Sequence, residues 1–149
     1  MKSQRDFRNY LAGAALAFGI VLIVSQVLQL MYGGLPLEER ESVYSLIMNV
    51  YLASHVAGGF LGGYLVARVR RTDFIMTGTI TAVLAYIFEF VYNLVVLQTL
   101  TDIYAMVSLL IGAIVGAMFL RASLERERIV GLKKTEPKPA PESVEKPQP

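Results

Sequence analysis

The chain has 149 residues, of which 14 are basic and 12 are acidic, and hydrophobic residues make up 54% of it. Charged residues account for only 17%, whereas a soluble domain carries about 25%. Nearly all of this charge lies at the two termini or between four long apolar segments, which is the pattern of an integral membrane protein. The composition therefore argues against a soluble enzyme, a secreted disulfide-bonded protein and a nucleic-acid-binding protein.

Four apolar segments are each long enough to cross a membrane. The first runs for 23 residues without a charge, and as a helix it would reach roughly 34 Å, more than the thickness of the hydrocarbon. Uninterrupted segments of this length predict helices, because a backbone in lipid must satisfy its own hydrogen bonds. The expected fold is an all-α membrane protein whose four-helix transmembrane domain covers residues 10–121, with spans of about 10–32, 42–67, 74–97 and 103–120.

The basic residues predict the orientation of these helices. Thirteen of the 14 lie in the arm over residues 1–9, in the loop between the second and third spans, or after the fourth span. Arg40 alone lies on the other side. Since Lys and Arg accumulate in cytoplasmic segments, both termini are predicted to be cytoplasmic in a multi-pass protein of the plasma membrane.

The C-terminal region is predicted to leave the membrane as a helix and then to lose its structure. Residues 122–134 are compatible with a basic juxtamembrane extension of the fourth helix, which Gly131 could end. Residues 135–149 contain all the prolines except Pro36, and such a segment favours a disordered cytoplasmic tail. The tail is interpreted as a solvated tether, with a docking motif as the alternative.

The second and fourth spans resemble each other. An offset of 53 residues lays Tyr51, Gly59, Gly63 and Arg68 on Tyr104, Gly112, Gly116 and Arg121. This match suggests two tandem helical hairpins related by an axis along the membrane normal. Chance recurrence of glycine in apolar helices is the alternative.

Small residues recur four positions apart in the half of each span nearer the predicted cytoplasmic side. Such pairs let two helix backbones approach closely. They predict that the chain is a homo-oligomer or an accessory subunit of a larger membrane complex, because there are more such small-residue surfaces than the packing of one four-helix bundle requires. The pairs are Gly58 with Gly62, Gly59 with Gly63, Gly112 with Gly116, and Ala15 with Gly19.

Polar residues collect in the other half of the spans. We expect them to line a recess between helices that are tightly packed at the cytoplasmic end and splayed at the outer end. Pairwise hydrogen bonds between helices are the alternative, each contributing about 0.6 kcal/mol. The candidate residues are Gln26, Gln29, Asn49, His55, Glu89 and Asn93.

Glu89 is the main candidate among them. An acidic side chain inside a membrane costs roughly 2.5–3.5 kcal/mol unless it is neutral or paired, and His55 lies at about the same predicted depth. Contact between the two would suit proton movement or the binding of a cationic or hydrogen-bonding ligand, which makes a small proton-coupled transporter or channel the second hypothesis. In a structural interpretation, His55 bonds a carbonyl group and a protonated Glu89 holds two helices in register.

The sequence offers little for catalysis. It has no cysteine and only one histidine, too few strong ligands for a metal site within one chain. The motifs of serine hydrolases, zinc proteases and phosphate-binding loops are missing. We therefore expect no enzymatic activity, no cofactor and no metal.

One resemblance rests on the second span. Its Gly58 to Gly63 segment reads GGFLGG and leads into the basic residues Arg68, Arg70 and Arg71. With a third span rich in small residues, the chain resembles the small four-helix prokaryotic membrane proteins classed as domains of unknown function. The resemblance covers the four spans and implies the topology and a prokaryotic plasma membrane. It implies no functional residue.

Overall fold

The computed structural model describes the backbone of residues 2–135 and the side chains of residues 7–129. Of the predicted disordered tail over residues 135–149, all but Thr135, which belongs to a helix, lies outside the described residues. Within the described part of the chain all regular structure is helical, so the all-α prediction is confirmed. Each of the four helices is long and apolar enough to cross a membrane. They are α1 (Lys2–Gly33), α2 (Leu37–Arg70), α3 (Phe74–Tyr92), which a π-helical turn over Asn93–Leu97 extends, and α4 (Ile103–Thr135).

The helices alternate in direction, as the contacts between them show. Ala17 of α1 meets Gly58 of α2, and Gly13, earlier in α1, meets Gly62, later in α2, so these two helices are antiparallel. The contacts between α2 and α4 and between α1 and α3 run in the same order along both helices. The start of α1, the α2–α3 loop and the end of α4 therefore share one end of the bundle, here named the basic end. The α1–α2 and α3–α4 loops share the other, the acidic end.

The loop between α1 and α2 accounts for the one basic residue at the acidic end. The Arg40 guanidinium donates hydrogen bonds to the carbonyl oxygens of Gly33 and Leu35, each 3.1 Å away. It also lies over the Tyr32 ring, 5.4 Å from the centroid. Arg40 thus fixes the turn between two helices, a local role that is independent of the orientation in the membrane.

The α3–α4 connection is irregular and well bonded. The regular α-helix ends at Tyr92, five residues before the predicted end of the span at residue 97, and the π-helical turn supplies the rest. Asn93 donates from its side chain to Thr101 Oγ1 over 3.1 Å, and its carbonyl oxygen accepts the Thr99 N–H. Asp102 caps α4 by accepting the Tyr104 N–H at 3.0 Å. At the other end of α4, Gly131 does not end the helix, which continues to Thr135.

The closest helix contact joins α2 and α4 through reciprocal glycines. A Cβ atom added to Gly59 would overlap the carbonyl oxygen of Leu109, and one added to Gly112 would overlap that of Val56. Positions 56 and 59 correspond to 109 and 112 at the 53-residue offset, so the two surfaces contact each other symmetrically. The same reciprocity links Gly63 to the Ala113 carbonyl and Gly116 to the Phe60 carbonyl. The offset thus relates two helix surfaces in contact, while the tandem hairpins stay a prediction.

A second face of α2 packs on α1 in the same manner. A Cβ atom on Gly58 would lie 2.7 Å from the Ala17 carbonyl oxygen, and one on Gly62 would lie 2.6 Å from that of Gly13. All six glycines predicted to pack helices are therefore buried against other helices of the same chain. They are not free for a second chain, so they no longer motivate the predicted oligomer. Of the predicted pairs, only Ala15 and Gly19 keep open surface.

Candidate proton and ligand site

His55 and Glu89 meet in the interior of the bundle. His55 lies on α2 one turn before the glycines that bring α1 and α4 close, and Glu89 lies on α3. The exposed fraction is 0% for His55 and 4% for Glu89. His55 Nε2 is 3.0 Å from Glu89 Oε1 and 3.2 Å from Oε2, so both carboxyl oxygens are within hydrogen-bonding distance of the ring. The contact predicted as feasible from the sequence is present.

The surroundings of His55 determine where its protons are. Nδ1 lies 2.8 Å from the carbonyl oxygen of Tyr51, which can only accept, so Nδ1 carries a hydrogen. Nε2 faces the Glu89 carboxyl group, and a hydrogen bond there requires one proton on either the ring or the carboxyl group. Both forms, imidazolium with carboxylate and imidazole with carboxylic acid, are neutral overall. The pair is therefore a buried one-proton site.

Tyr51 completes this arrangement from the same face of α2. Its hydroxyl group donates to Glu89 Oε1 over 2.9 Å, and its ring meets the His55 ring edge-on with the centroids 4.3 Å apart. Its carbonyl oxygen also accepts the Ser54 hydroxyl at 2.6 Å. Among the described residues no buried side-chain nitrogen or oxygen lacks a hydrogen-bond partner. The polar cluster is thus fully satisfied in an apolar environment, where an unpaired group would be costly.

A cavity of about 210 Å³, here named the polar cavity, opens beside Glu89 towards the acidic end. Gln26 donates a hydrogen bond to the Tyr92 hydroxyl across it, over 3.2 Å. No lysine or arginine belongs to its described lining, so its charged groups are both acidic. The polar residues that line it are Ser25, Gln26, Gln29, Tyr51, Glu89, Tyr92, Asn93, Thr99, Thr101 and Asp102.

The structure brings together four of the six predicted polar residues around this cavity, namely Gln26, Gln29, Glu89 and Asn93. His55 lies behind Glu89 and does not line it. Asn49 is exposed on α2 and lies apart from the group.

Sequence reasoning missed the roles of Tyr51 and Asp102. Tyr51 precedes His55 by four residues and so shares its helix face, a signal that was available. Asp102 was visible only as a residue of a short loop, and its position at the cavity depends on how that loop folds.

The bundle closes between the polar cavity and the basic end. Ala17, Ala85, Leu109 and Ala113 from α1, α3 and α4 are fully buried there and pack in one cluster. The glycine contacts of α2 lie at the same level. The cavity is therefore open from one end and separated from the other by packed helices.

A second pocket adjoins the polar cavity between α1 and α2. Its volume is about 200 Å³, and its remaining lining is apolar or aromatic: Leu28, Tyr32, Tyr44, Ile47 and Met48. Ser25, Gln29 and Tyr51 line both spaces. We name this space the apolar pocket. A polar and an apolar compartment thus meet at three shared side chains.

No group of three or more His, Asp or Glu side chains suitable for a metal ion occurs in the part of the chain that the structure describes. His55 and Glu89 supply two potential ligands, and both already bond to each other. The arrangement is suited to holding a proton.

No protein-family model, curated protein or solved structure matches the chain. The resemblance to small four-helix prokaryotic membrane proteins therefore stays a prediction.

Proposed function

We propose that this integral membrane protein is a small transporter that exchanges a proton at the His55–Glu89 pair for a solute in the polar cavity. One observation carries the proposal. A buried, hydrogen-bonded pair of His55 and Glu89 has its carboxyl group in the wall of a cavity that opens at one end of the bundle. Buried ionisable groups in a membrane are costly and commonly mark ion or substrate pathways.

The charge balance of the pair favours exchange. With its proton the pair is neutral, and without it a carboxylate is left at the cavity wall with no positive partner. A cationic solute beside Glu89 would restore neutrality and so favour release of the proton. Proton and solute would then compete for one site, which is the basis of coupled transport.

The predicted orientation completes the proposal. With both termini in the cytoplasm, the cavity faces outwards and the glycine contacts close the cytoplasmic half. Transport would require those contacts to open while the outer half closes. The packed layer between cavity and basic end supports a transporter of this kind over a continuously open channel.

Vesicles reconstituted with the full chain test the proposal. With an imposed gradient of tetramethylammonium, a cationic solute that itself carries no exchangeable proton, a trapped pH-sensitive dye is expected to report faster proton movement than in empty vesicles. Glu89→Gln is expected to abolish the excess, because its amide keeps the bonds to Tyr51 and His55 but holds no exchangeable acidic proton. The control is Glu125→Gln, which makes the same change at an exposed carboxylate on α4. Equal rates for wild type and Glu89→Gln, or no excess in wild type, would refute it.

A second candidate function is association with another membrane helix, as a homo-oligomer or accessory subunit. One observation favours it: Ala15 is exposed on α1, and a Cβ atom on Gly19 would meet nothing within 4 Å. This small-residue face is open to close approach by another helix. Gly19→Leu is expected to shift the oligomer or complex in mild detergent without unfolding the chain. Unchanged migration would count against this candidate.

A further inference from the structure

The polar cavity and the apolar pocket adjoin each other at three shared side chains, and together they define a class of ligand. Ser25, Gln29 and Tyr51 line both spaces. Each space alone is smaller than the roughly 300 Å³ at which small-molecule sites usually begin, whereas the two together exceed it. A ligand that fills both must carry one polar and one apolar part.

The charges select the polar part. Glu89 and Asp102 are the charged residues of the polar cavity, and none of the described residues lining either space is lysine or arginine. The amide and hydroxyl oxygens of Gln26 and Thr101 add hydrogen-bond acceptors. Phe18 and Tyr92 also line the cavity, and aromatic rings near a cation attract it. This lining suits a group that is positively charged and donates hydrogen bonds.

The neighbouring wall selects the apolar part. The apolar pocket is lined mainly by aliphatic and aromatic side chains, among them Leu28, Ile47 and Met48. A ring or a short hydrocarbon chain of a ligand can occupy this pocket favourably, because it has no hydrogen bonds to lose and its apolar surface is removed from water.

We propose that the ligand is a small amphiphilic organic cation, with its ammonium group at Glu89 and Asp102 and its apolar group between α1 and α2. This inference rests on the proposed function, since it names the class of solute that the proton exchanges with. Entry of the ammonium group replaces the shared proton at Glu89 with another positive charge.

Equilibrium binding to the full chain in lipid nanodiscs tests the ligand class. The probes are 2-phenylethylammonium, 2-phenylethanol, which keeps the ring without the charge, and methylammonium, which keeps the charge without the ring. Empty nanodiscs correct for partition into lipid. The first probe is expected to bind at least about 10-fold more tightly than either of the others, on the scale of one charge-assisted hydrogen bond or one buried ring. Equal affinity for the first two would overturn the inference.

Two variants locate the two parts of the probe. Asp102→Asn is expected to weaken 2-phenylethylammonium about 10-fold, and it keeps the α4 cap because Asn caps helices as well as Asp. Met48→Phe fills the apolar pocket and is expected to reduce the affinity of the same probe towards that of methylammonium. The control Leu46→Phe changes a side chain of α2 that is 62% exposed and lines neither space. Wild-type affinity in both test variants would overturn the assignment.

Proton release during binding, measured in weak buffer, separates this inference from the proposed function. If 2-phenylethylammonium binds with the expected selectivity but releases no proton, the exchange is refuted and the ligand class stands. If Glu89→Gln abolishes proton flux while the probe fails to bind, the ligand class is refuted and the proton site stands.

Discussion

The helices lie at different distances from each other in the two halves of the bundle, because different groups stand between them. Towards the basic end, backbones touch directly at glycines, and an added Cβ at Gly59 or Gly112 would overlap a carbonyl oxygen. Towards the acidic end, tyrosine, glutamine and glutamate side chains lie between the helices and leave two spaces of about 200 Å³. Close packing supplies much of the attraction between helices in lipid. The glycine half therefore provides the stability that permits the polar half to stay open.

The two halves are coupled through α2. His55 precedes Gly59 by four residues, and so stands one turn from the contact with α4. Glycine contacts constrain the position of α2, because its backbone meets the backbones of α1 and α4 there and not flexible side chains. The bond between His55 and Glu89, 3.0 Å long, depends on that position.

The largest expected effect comes from adding one methyl group to the glycine half. Gly112→Ala places a Cβ atom against the Val56 backbone, which cannot rotate away. The expected loss of stability is about 2–3 kcal/mol, the upper range for overpacking a core. Unfolding of the purified protein in mixed micelles of mild detergent and dodecyl sulfate measures it.

The matched control is Gly19→Ala. Its Cβ atom would meet nothing within 4 Å, and alanine favours a helix by about 1 kcal/mol over glycine. This variant is expected to be as stable as wild type or slightly more so. Similar destabilisation by both substitutions would mean that close backbone contact at glycine does not account for the stability of the glycine half.

The glycine half was the part that the sequence predicted best. Gly58, Gly59, Gly62 and Gly63 form two pairs on adjacent faces of a helix, and local spacing alone indicates two close contacts. What spacing cannot indicate is the partner. The small residues predict both tight packing of the bundle at one end and binding to another chain, and in the structure each of these pairs meets a helix of its own chain. Partner choice depends on how the whole bundle packs.

The polar half was predicted in part, for a related reason. Glu89 and His55 stand out in any apolar sequence, and their matching depth follows from counting residues along antiparallel helices. Rotation of each helix about its own axis does not follow from such counting. Asn49 therefore lies outside the site, whereas Tyr51, two residues later, lies inside it.

The stability of the polar half is expected to depend on satisfied hydrogen bonds, whereas the stability of the glycine half depends on the absence of side-chain atoms between the backbones. Glu89→Ala would leave the Tyr51 hydroxyl and His55 Nε2 without their common partner in the interior. The expected cost is about 1–3 kcal/mol, the penalty for an unsatisfied buried group. Thermal unfolding in detergent measures it.

Glu89→Gln provides the comparison at the same position. Its amide oxygen can accept the Tyr51 hydroxyl and its amide nitrogen can donate to His55 Nε2, so its stability is expected to lie within about 1 kcal/mol of wild type. If the amide destabilises the protein as much as alanine does, attraction between charges rather than hydrogen bonding alone holds the pair together, and imidazolium with carboxylate is the form present.

The smallest expected effect concerns an exposed pair of opposite charges, Arg121 with Glu125 on α4. Arg121 Nε and Glu125 Oε1 are 2.9 Å apart, closer than the atoms of the buried pair, but the two side chains are 52% and 60% exposed. Solvent screens such a pair, and breaking it with Glu125→Gln is expected to cost at most about 0.5 kcal/mol. The same unfolding measurement gives the comparison with Glu89→Ala. A cost equal to that of Glu89→Ala would show that burial does not distinguish the two carboxylates, and the importance of the Glu89 site would then have to rest on the cavity beside it alone.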